Sequence, residues 1–271
     1  MRTTINRRYN MVTAHSPIHL DTVKQICPAI FATEPFSECS DKYRFISTAE
    51  VLHALDAEGF KPFMVGQSTP RRSEKNGFAK HTVRLRRQQD QQSDGTYNEI
   101  VITNSSDRST SAILMGGVFR MVCMNGLIAG NISQEVRIKH VGHDIGDFIE
   151  GAFTIVSQFD KINENKELMQ NSFSSVEAYR DFATKALALR WPNPEAQPID
   201  AAWLLNTRRM TDLKDDLWTK FNIIQENLLQ GQRYQDYETN KKRTVRKVTS
   251  VDQVTKLNRG LWDLAAEYID A

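Results

Sequence analysis

One stretch constrains this chain more than any other: Glu99 to His143, EIVITNSSDRSTSAILMGGVFRMVCMNGLIAGNISQEVRIKHVGH. Glu99 to Asn104 is a short β-branched run, and Ser105 to Thr110 is a polar turn cluster. Ser111 to Met115 and Val118 to Val122 are apolar runs split by Gly116 and Gly117. Gln134 to Val141 alternates, with Val136 and Ile138 on one face and Arg137 and Lys139 on the other. A period of two places side chains on opposite faces of a sheet. The spacing therefore predicts three or four consecutive strands of an antiparallel sheet.

Upstream, residues 1 to about 16 read as a loose or edge segment in which Arg2, Arg7 and Arg8 are solvated. Leu20 to Ala32 predicts a helix with Asp21 as N-cap, ended or kinked at Pro28. Tyr43 to Ser47 reads as a strand. Ser47 or Thr48 then caps a helix that Gly59 closes, with Glu50 placed to complete a capping box from Ser47. Phe60 to Ser68 predicts a strand, Thr69 to Phe78 a mobile connection, and His81 to Arg87 an alternating strand. Asp94-Gly95 is a hairpin turn signal that pairs Glu99 to Asn104 back on that strand.

After His143 the period changes. Ile145, Phe148, Ile149, Ala152, Val156 and Phe159 share one helical stripe, with Asp144 as its cap. Further helices are predicted over Ser174 to Leu189, Asp200 to Leu205, Asp212 to Leu229 and Val251 to Ile269, with a break at Trp191 to Pro198. Segregated strands and helices argue α+β. The expected architecture is a mainly antiparallel sheet in the N-terminal half (residues 1–143), backed by a long helix. A helical half (residues 144–271) packs on it in one continuous domain.

Composition narrows the function classes. With 40% hydrophobic and 25% charged residues the chain is ordinary for a globular protein. No apolar run approaches the roughly 20 residues of a membrane helix, and the basic N-terminus has no apolar stretch behind it. A cytoplasmic protein is expected. Cys27, Cys39 and Cys123 lack the paired spacing of a disulfide framework or zinc site and are read as reduced thiols. Cys123 reads as a buried apolar residue rather than a nucleophile. His140, His143 and Asp144 sit at a strand end without a second ligand pair, so no metal is expected. Asn125-Gly126 reads as a tight turn, Gly116-Gly117 lacks a phosphate-loop pattern, and Asn104 to Asp107 reads as a polar turn. No cofactor and no catalysis are expected.

The net charge is only +2, so a nucleic-acid site must come from local clustering. Two clusters qualify. Arg84 and Arg86 project from the same side of one strand, just after Arg71, Arg72 and Lys80. Lys241, Lys242, Arg243, Arg246 and Lys247 form a denser run in a polar loop, with Tyr234 and Tyr237 upstream. Lys and Arg contact phosphates, and aromatic rings stack bases.

At these residues the chain resembles a known family. ITNSSDRSTSAILMGGVFRMVCMNGL is similar to the signature of the phage- and plasmid-borne "domain of unknown function 932" proteins. QENLLQGQ and RTVRKVTSVDQVTKLNRGLWDLAAE resemble that family's C-terminal pattern. Two positions depart from it. The family often has His where Ser106 stands and Gly where Arg108 stands, so no imidazole role in that turn is carried over. The resemblance implies a phage, prophage or plasmid origin and brings no reaction with it.

The expected function is single-stranded DNA binding in recombination or replication of a mobile element, of the annealing type. By fold-level analogy, phage annealing proteins share this layout of sheet, long helix and basic groove. Arg84, Arg86, Lys241, Lys242, Arg243, Arg246 and Lys247 are the expected contacts. The alternative is a factor that binds a host protein, for example in defence. An enzyme built on Cys123, His140 or His143 is the third reading. Homo-oligomerisation is compatible with any of them.

Overall fold

The computed structural model describes residues 9–120, 125–128, 135–140, 145–236 and 240–269. The protein is α+β, and it divides into two compact units, with Phe159 ending the first and Asp160 opening most of the second. The division thus falls one helix later than residue 143.

The first unit holds the sheet. Its strands are β1 (Tyr9–Thr13), β2 (Lys61–Ser68), β3 (His81–Arg86), β4 (Thr96–Asn104), β5 (Ala112–Arg120), β6 (Asn125–Ile128) and β7 (Glu135–Ile138). β1 to β6 pair in sequence order, each antiparallel to the next. β7 joins the outer edge of β5 beside β6: Gly117–Arg120 pair with β6, and Ala112–Met115 pair with β7. Consecutive antiparallel strands need only short links, which Gly95 (φ 74°) supplies between β3 and β4.

Several sequence expectations change here. Gly116 and Gly117 do not split a strand; β5 runs through them, opposite Ile100 and Glu99. Asn125 and Gly126 lie in β6 rather than in a turn. Tyr43 to Ser47 forms no strand. It is tied to the sheet by side chains instead: Tyr43 Oη donates to Ser105 O at 2.9 Å, and the Tyr43 ring stacks on His140 at 4.5 Å. Thr69 to Phe78 contains a 3-10 turn over Ser73–Phe78, held by Gln67 Nε2 donating to Asn76 O at 2.6 Å. The first helix, α1 (Leu20–Ile26), stops before Pro28, and a 3-10 turn over Pro28–Phe31 follows. His19, not Asp21, occupies its N-cap position. Arg2, Arg7, Arg8, Cys123, His143 and Asp144 lie outside the described residues.

Helix α2 (Thr48–Ala57) starts as expected, with Ser47 Oγ accepting from Glu50 N–H at 3.3 Å. Its first turn is anchored to the sheet by a buried polar network. Thr48 Oγ1 lies 2.9 Å from His81 Nε2, and Asn104 Nδ2 donates to Thr48 Oγ1 and Ile46 O, both at 3.0 Å. His81 Nδ1 lies 2.9 Å from Ala79 O. Every member has a partner, as buried polar groups require. Helix α3 (Ile145–Ser157) lies on the sheet so closely that a Cβ added to Gly151 would sit 2.8 Å from Val136 Cγ1 and 2.9 Å from Leu114 Cδ1. Phe148, Ala152 and Ile155 fill the same face, all 0% exposed.

The second unit is built on α6 (Leu217–Gln230). Every residue from Leu217 to Leu229 except Lys220 is buried. Helices α5 (Val176–Arg190) and α7 (Val251–Ala266) pack on it, and α4 (Phe159–Asn171) leads into the unit. Trp218, Phe221 and Trp262 form its aromatic centre, with Phe221 5.7 Å from one ring and 6.0 Å from the other. A hairpin of β8 (Gln232–Asp236) and β9 (Lys241–Val245) follows α6 directly. The expected basic loop is therefore, over Lys241 to Val245, a hydrogen-bonded strand.

Two measurements check this fold. Arg108 adopts φ 69° in the turn between β4 and β5, the left-handed region where a Cβ costs roughly 1–2 kcal/mol and glycine does not. Allowing for the extra chain entropy glycine loses on folding, Arg108→Gly should stabilise the protein by about 0.5–1 kcal/mol in urea unfolding; a loss of stability would contradict this turn geometry. The second concerns His81. Burial pushes its imidazole down from 6.5 to about 4. The unfolded chain then binds the proton first on acidification, so His81's contribution is complete above pH 6.5 and is lost as the pH falls towards 4. The loss should be on the order of 3 kcal/mol. Unfolding free energies from pH 7 to 4 should show it, and His81→Gln should remove that part of the slope.

Candidate nucleic-acid interface

The two expected basic clusters have different fates. Arg84 and Arg86 share a face of β3, as the alternation required, but that face is buried. Arg84 is 5% exposed and Arg86 1%. Between them lies Glu99 on β4, fully buried: Arg84 Nη1 donates to Oε2 at 2.8 Å and Arg86 Nε to Oε1 at 2.5 Å. The Arg86 guanidinium also lies 4.7 Å from the Phe63 ring centroid and 5.9 Å from that of Tyr97. Desolvation lowers Arg86 from its ordinary value, and Glu99 works against that. The expectation of an exposed phosphate-binding face is corrected for these two arginines. A guanidinium inside a protein needs a carboxylate, and Glu99 serves two.

Their sequence neighbours are also engaged. Arg72 bridges Glu38 and Glu74, each at 2.8 Å, and Lys75 reaches Asp107 at 3.9 Å. In the turn after β4, Cys39 Sγ donates to Ser106 O at 3.7 Å, and Asp107 Oδ1 accepts from Ser109 N–H at 3.0 Å. This turn is a structural knot of backbone and side-chain bonds. Burial lowers His140 from the usual imidazole range, and its Nδ1 lies 3.0 Å from Arg44 O. Burial also raises the Cys27 and Cys39 thiols, which disfavours the thiolate a nucleophile needs. No group of His, Cys, Asp and Glu suited to a metal occurs among the described residues.

The hairpin of the second unit is different. Glycine sets its base. Gly231 has φ 69°, and a Cβ there would sit 2.4 Å from Val245 O and 2.6 Å from Lys247 N. Val248 N–H donates to Leu229 O at 2.8 Å, fixing the end of β9 against the end of α6. Arg190, at the end of α5, donates through Nη2 to Arg246 O at 2.6 Å and through Nη1 to Leu228 O. The hairpin is thus clamped at its root by a backbone bond and by the Arg190 guanidinium.

Along β9, Val245 is buried while Lys242 and Thr244 are exposed, as are Arg246, Lys247 and, on β8, Arg233. Among the described residues, no carboxylate pairs with Arg233, Lys242, Arg246 or Lys247. Desolvation lowers the Lys247 ammonium from its ordinary value, and no acid offsets it. Lys241 and Arg243 belong to the same strand, opposite Asp236 and Tyr234; their side chains, and Tyr237, lie outside the described residues. Tyr234 is half-buried, its ring 6.4 Å from that of Trp203 and at 69° to it.

The arrangement presents exposed cations that pair with no acid among the described residues on a hydrogen-bonded ribbon, with the Tyr234–Trp203 pair beside it. Sequence reasoning singled out Lys242, Arg246, Lys247 and Tyr234 and passed over Arg233 and Trp203, which the structure places beside them. Arg233 pairs with Thr244 across the ribbon; the signal for it was the alternation of QRYQD, which a loop reading discards.

The chain belongs to the family described as "Domain of unknown function (DUF932)", whose model matches residues 35–262. It is 33% identical to UPF0380 protein YafZ of Escherichia coli (strain K12) over 256 residues, covering 94% of this chain and 93% of that protein. It is 32% identical to UPF0380 protein YfjQ of the same organism over 256 residues, with the same coverage. No solved structure matches it.

Glu99 offers the test of the buried cluster. Removing its charge leaves two guanidiniums without their anion, which costs roughly 3–5 kcal/mol. Glu99→Gln should lower the unfolding free energy from urea titration by that amount, while Arg233→Ser, on the exposed hairpin, should shift it by no more than about 0.5 kcal/mol. Equal effects would contradict the contrast between the two clusters.

Proposed function

We propose that this protein binds single-stranded DNA through the β8–β9 hairpin, in an annealing-type step of recombination or replication of a mobile element. The observation that carries the reading is the set of exposed cations Arg233, Lys242, Arg246 and Lys247, which pair with no acid among the described residues. In a chain with a net charge of only +2, a ribbon carrying four exposed cations with no acid partner among the described residues favours a polyanion as partner. The half-buried rings of Trp203 and Tyr234 beside it favour strands whose bases are free to stack. Arg84 and Arg86 support the fold of the first unit and are not contacts in this reading.

A fluorescent oligonucleotide tests it. Single-stranded DNA should bind with little sequence preference, and the logarithm of affinity should fall against log salt by roughly 0.7 per phosphate contact. Replacing Arg233, Lys242, Arg246 and Lys247 together by Ser should flatten that slope by up to about 3. Thermal stability should hardly change, because exposed cations contribute little to it. Absence of binding near physiological salt, or a slope that the fourfold variant leaves intact, overturns the reading. A host protein would then be the leading partner, and the exposed apolar side chains Phe173, Val176, Met210 and Leu213 of the second unit, 60–81% exposed, would be its first candidates.

A further inference from the structure

We infer that two copies of this chain pair through an apolar face of the second unit, formed where α4 passes into α5 and where the chain enters α6. The inference stands apart from the nucleic-acid reading of the hairpin and does not depend on it.

Large apolar side chains scattered singly over a surface need no explanation, but a cluster does. In the second unit the exposed ones among the described residues are Leu168, Phe173, Val176, Met210 and Leu213, at 51%, 68%, 60%, 81% and 62% exposure. All five fall in two short segments, 168–176 and 210–213. Hydrogen bonds bring these segments together. Leu217 N–H donates to Ser172 O at 2.9 Å, and Tyr179 Oη donates to Asp215 O at 2.8 Å. Ser174 N–H donates in turn to Tyr179 Oη at 3.2 Å. Phe173 thus stands between two residues tied to the stretch that follows Leu213. Val176 opens α5, and Leu168 lies one turn before Ser172, whose Oγ donates to Leu168 O at 2.8 Å. Met210 begins a 3-10 turn, Met210–Asp212, that leads into Leu213.

The helix ends that display this face are capped. Ser175 Oγ accepts from Ala178 N–H at 3.1 Å at the start of α5, and Asp216 Oδ1 accepts from Thr219 N–H at 2.7 Å at the start of α6. Such ends do not fray readily, so the apolar side chains are held in place before any partner arrives.

Size and charge together say what covers the face. A fully exposed side chain of this kind presents roughly 150–200 Å² of surface, so the five leave on the order of 500–600 Å² in water. That is the upper end of what a monomer exposes in one patch. Two such faces set against each other remove about 1,000–1,200 Å², where specific interfaces begin. The charges beside the face balance. Glu177 and Asp215 are exposed acids, Lys214 is an exposed base, and the half-buried Lys220 holds Asp215 Oδ1 at 2.8 Å through Nζ. A rim of one sign would repel its own copy and select an opposite partner, whereas a balanced rim around an apolar centre accepts its own copy. About a two-fold axis, each copy brings the face the other needs.

Sedimentation velocity of the full chain, without nucleic acid, tests the pairing. Between about 1 and 100 µM the mass should rise from one chain towards two and stop there, because a two-fold interface closes. The rise should persist in about 1 M sodium chloride, since apolar burial is not screened. Phe173→Ser and Met210→Ser should each raise the dissociation constant at least about tenfold. Both side chains are exposed, so the thermal midpoint of the dilute protein should stay within about 2 °C. The two lie in different segments, so a folding failure of one leaves the other as the test. Phe153→Ser, at an exposed apolar residue of the first unit, should leave association unchanged. A mass of one chain at every concentration overturns the inference and gives the face to a different protein. Association beyond two copies, or a dimer that both Phe173→Ser and Met210→Ser leave intact, overturns it as well.

Discussion

A charged side chain taken out of water has to find its opposite, and that requirement sorts the cations of this protein. Arg84 and Arg86 are inside, and one carboxylate, Glu99, holds both. Arg209 in the second unit forks onto Glu226, which is 6% exposed, with Asp212 at 3.5 Å beside it. In each case the acid comes from a neighbouring element: β4 for β3, and α6 for the segment before it. The pairs thus fix which elements lie side by side as well as neutralising charge. Breaking one leaves a buried ion, which is far costlier than losing a surface pair. The hairpin cations have no such partner among the described residues and lie at the surface, Lys247 partly desolvated there. That difference separates the arginines that build the fold from the cations available to a ligand.

The same sorting explains what the sequence could and could not tell. Alternation placed Arg84 and Arg86 on one strand face correctly, because period two is a property of the local backbone. It could not say whether that face meets water. A polar-looking face on a strand is solvated in most antiparallel sheets, and the exception depends on a carboxylate fifteen residues from Arg84 and thirteen from Arg86. Caps were legible for a similar reason. Ser47 and Gly59 act within three residues of themselves, and the structure shows both in that place, whereas Asp21 lies inside α1 with His19 at the cap position. Tyr43 to Ser47 misled because its residues favour strands, while what binds Tyr43 is Ser105, sixty-two positions away. Asn125-Gly126 carried a turn signal that pairing with Phe119 and Arg120 overrode.

Arg108 shows how a single backbone angle can give a turn its physical meaning. The turn after β4 demands a positive φ at that position. Glycine meets the demand without strain, and arginine meets it at a cost. The surrounding bonds are enough to hold the arginine there: Asn104 Oδ1 accepts from Ser105 N–H at 2.8 Å, Ser105 Oγ accepts from Thr110 N–H at 3.1 Å, and Asp107 accepts from Ser109. The motif thus reads as a demand of backbone geometry, and the polar residues in it are consumed by the turn they make. That leaves few groups there for chemistry, which agrees with a protein whose candidate site lies elsewhere.

The hairpin poses the reverse problem, since a two-stranded ribbon in water is marginal alone. Here its stability has to come from the root. Gly231 brings β8 so close to β9 that backbone atoms occupy the space a side chain would take. Arg190 then ties the carbonyl of Arg246 to the end of α5, and Leu229 accepts from Val248. Apart from the Arg190 guanidinium these anchors are backbone groups or the glycine itself, so the side chains of Lys242, Arg246 and Lys247 are left out of the work of holding the ribbon. A surface assembled this way can change its charges with little loss of fold. The buried helix α6 carries the connection further, because Gly231 at its end roots the hairpin and Asn227, near that end, fixes the turn of Trp203. One rigid element thereby sets the positions of both the cations and the ring.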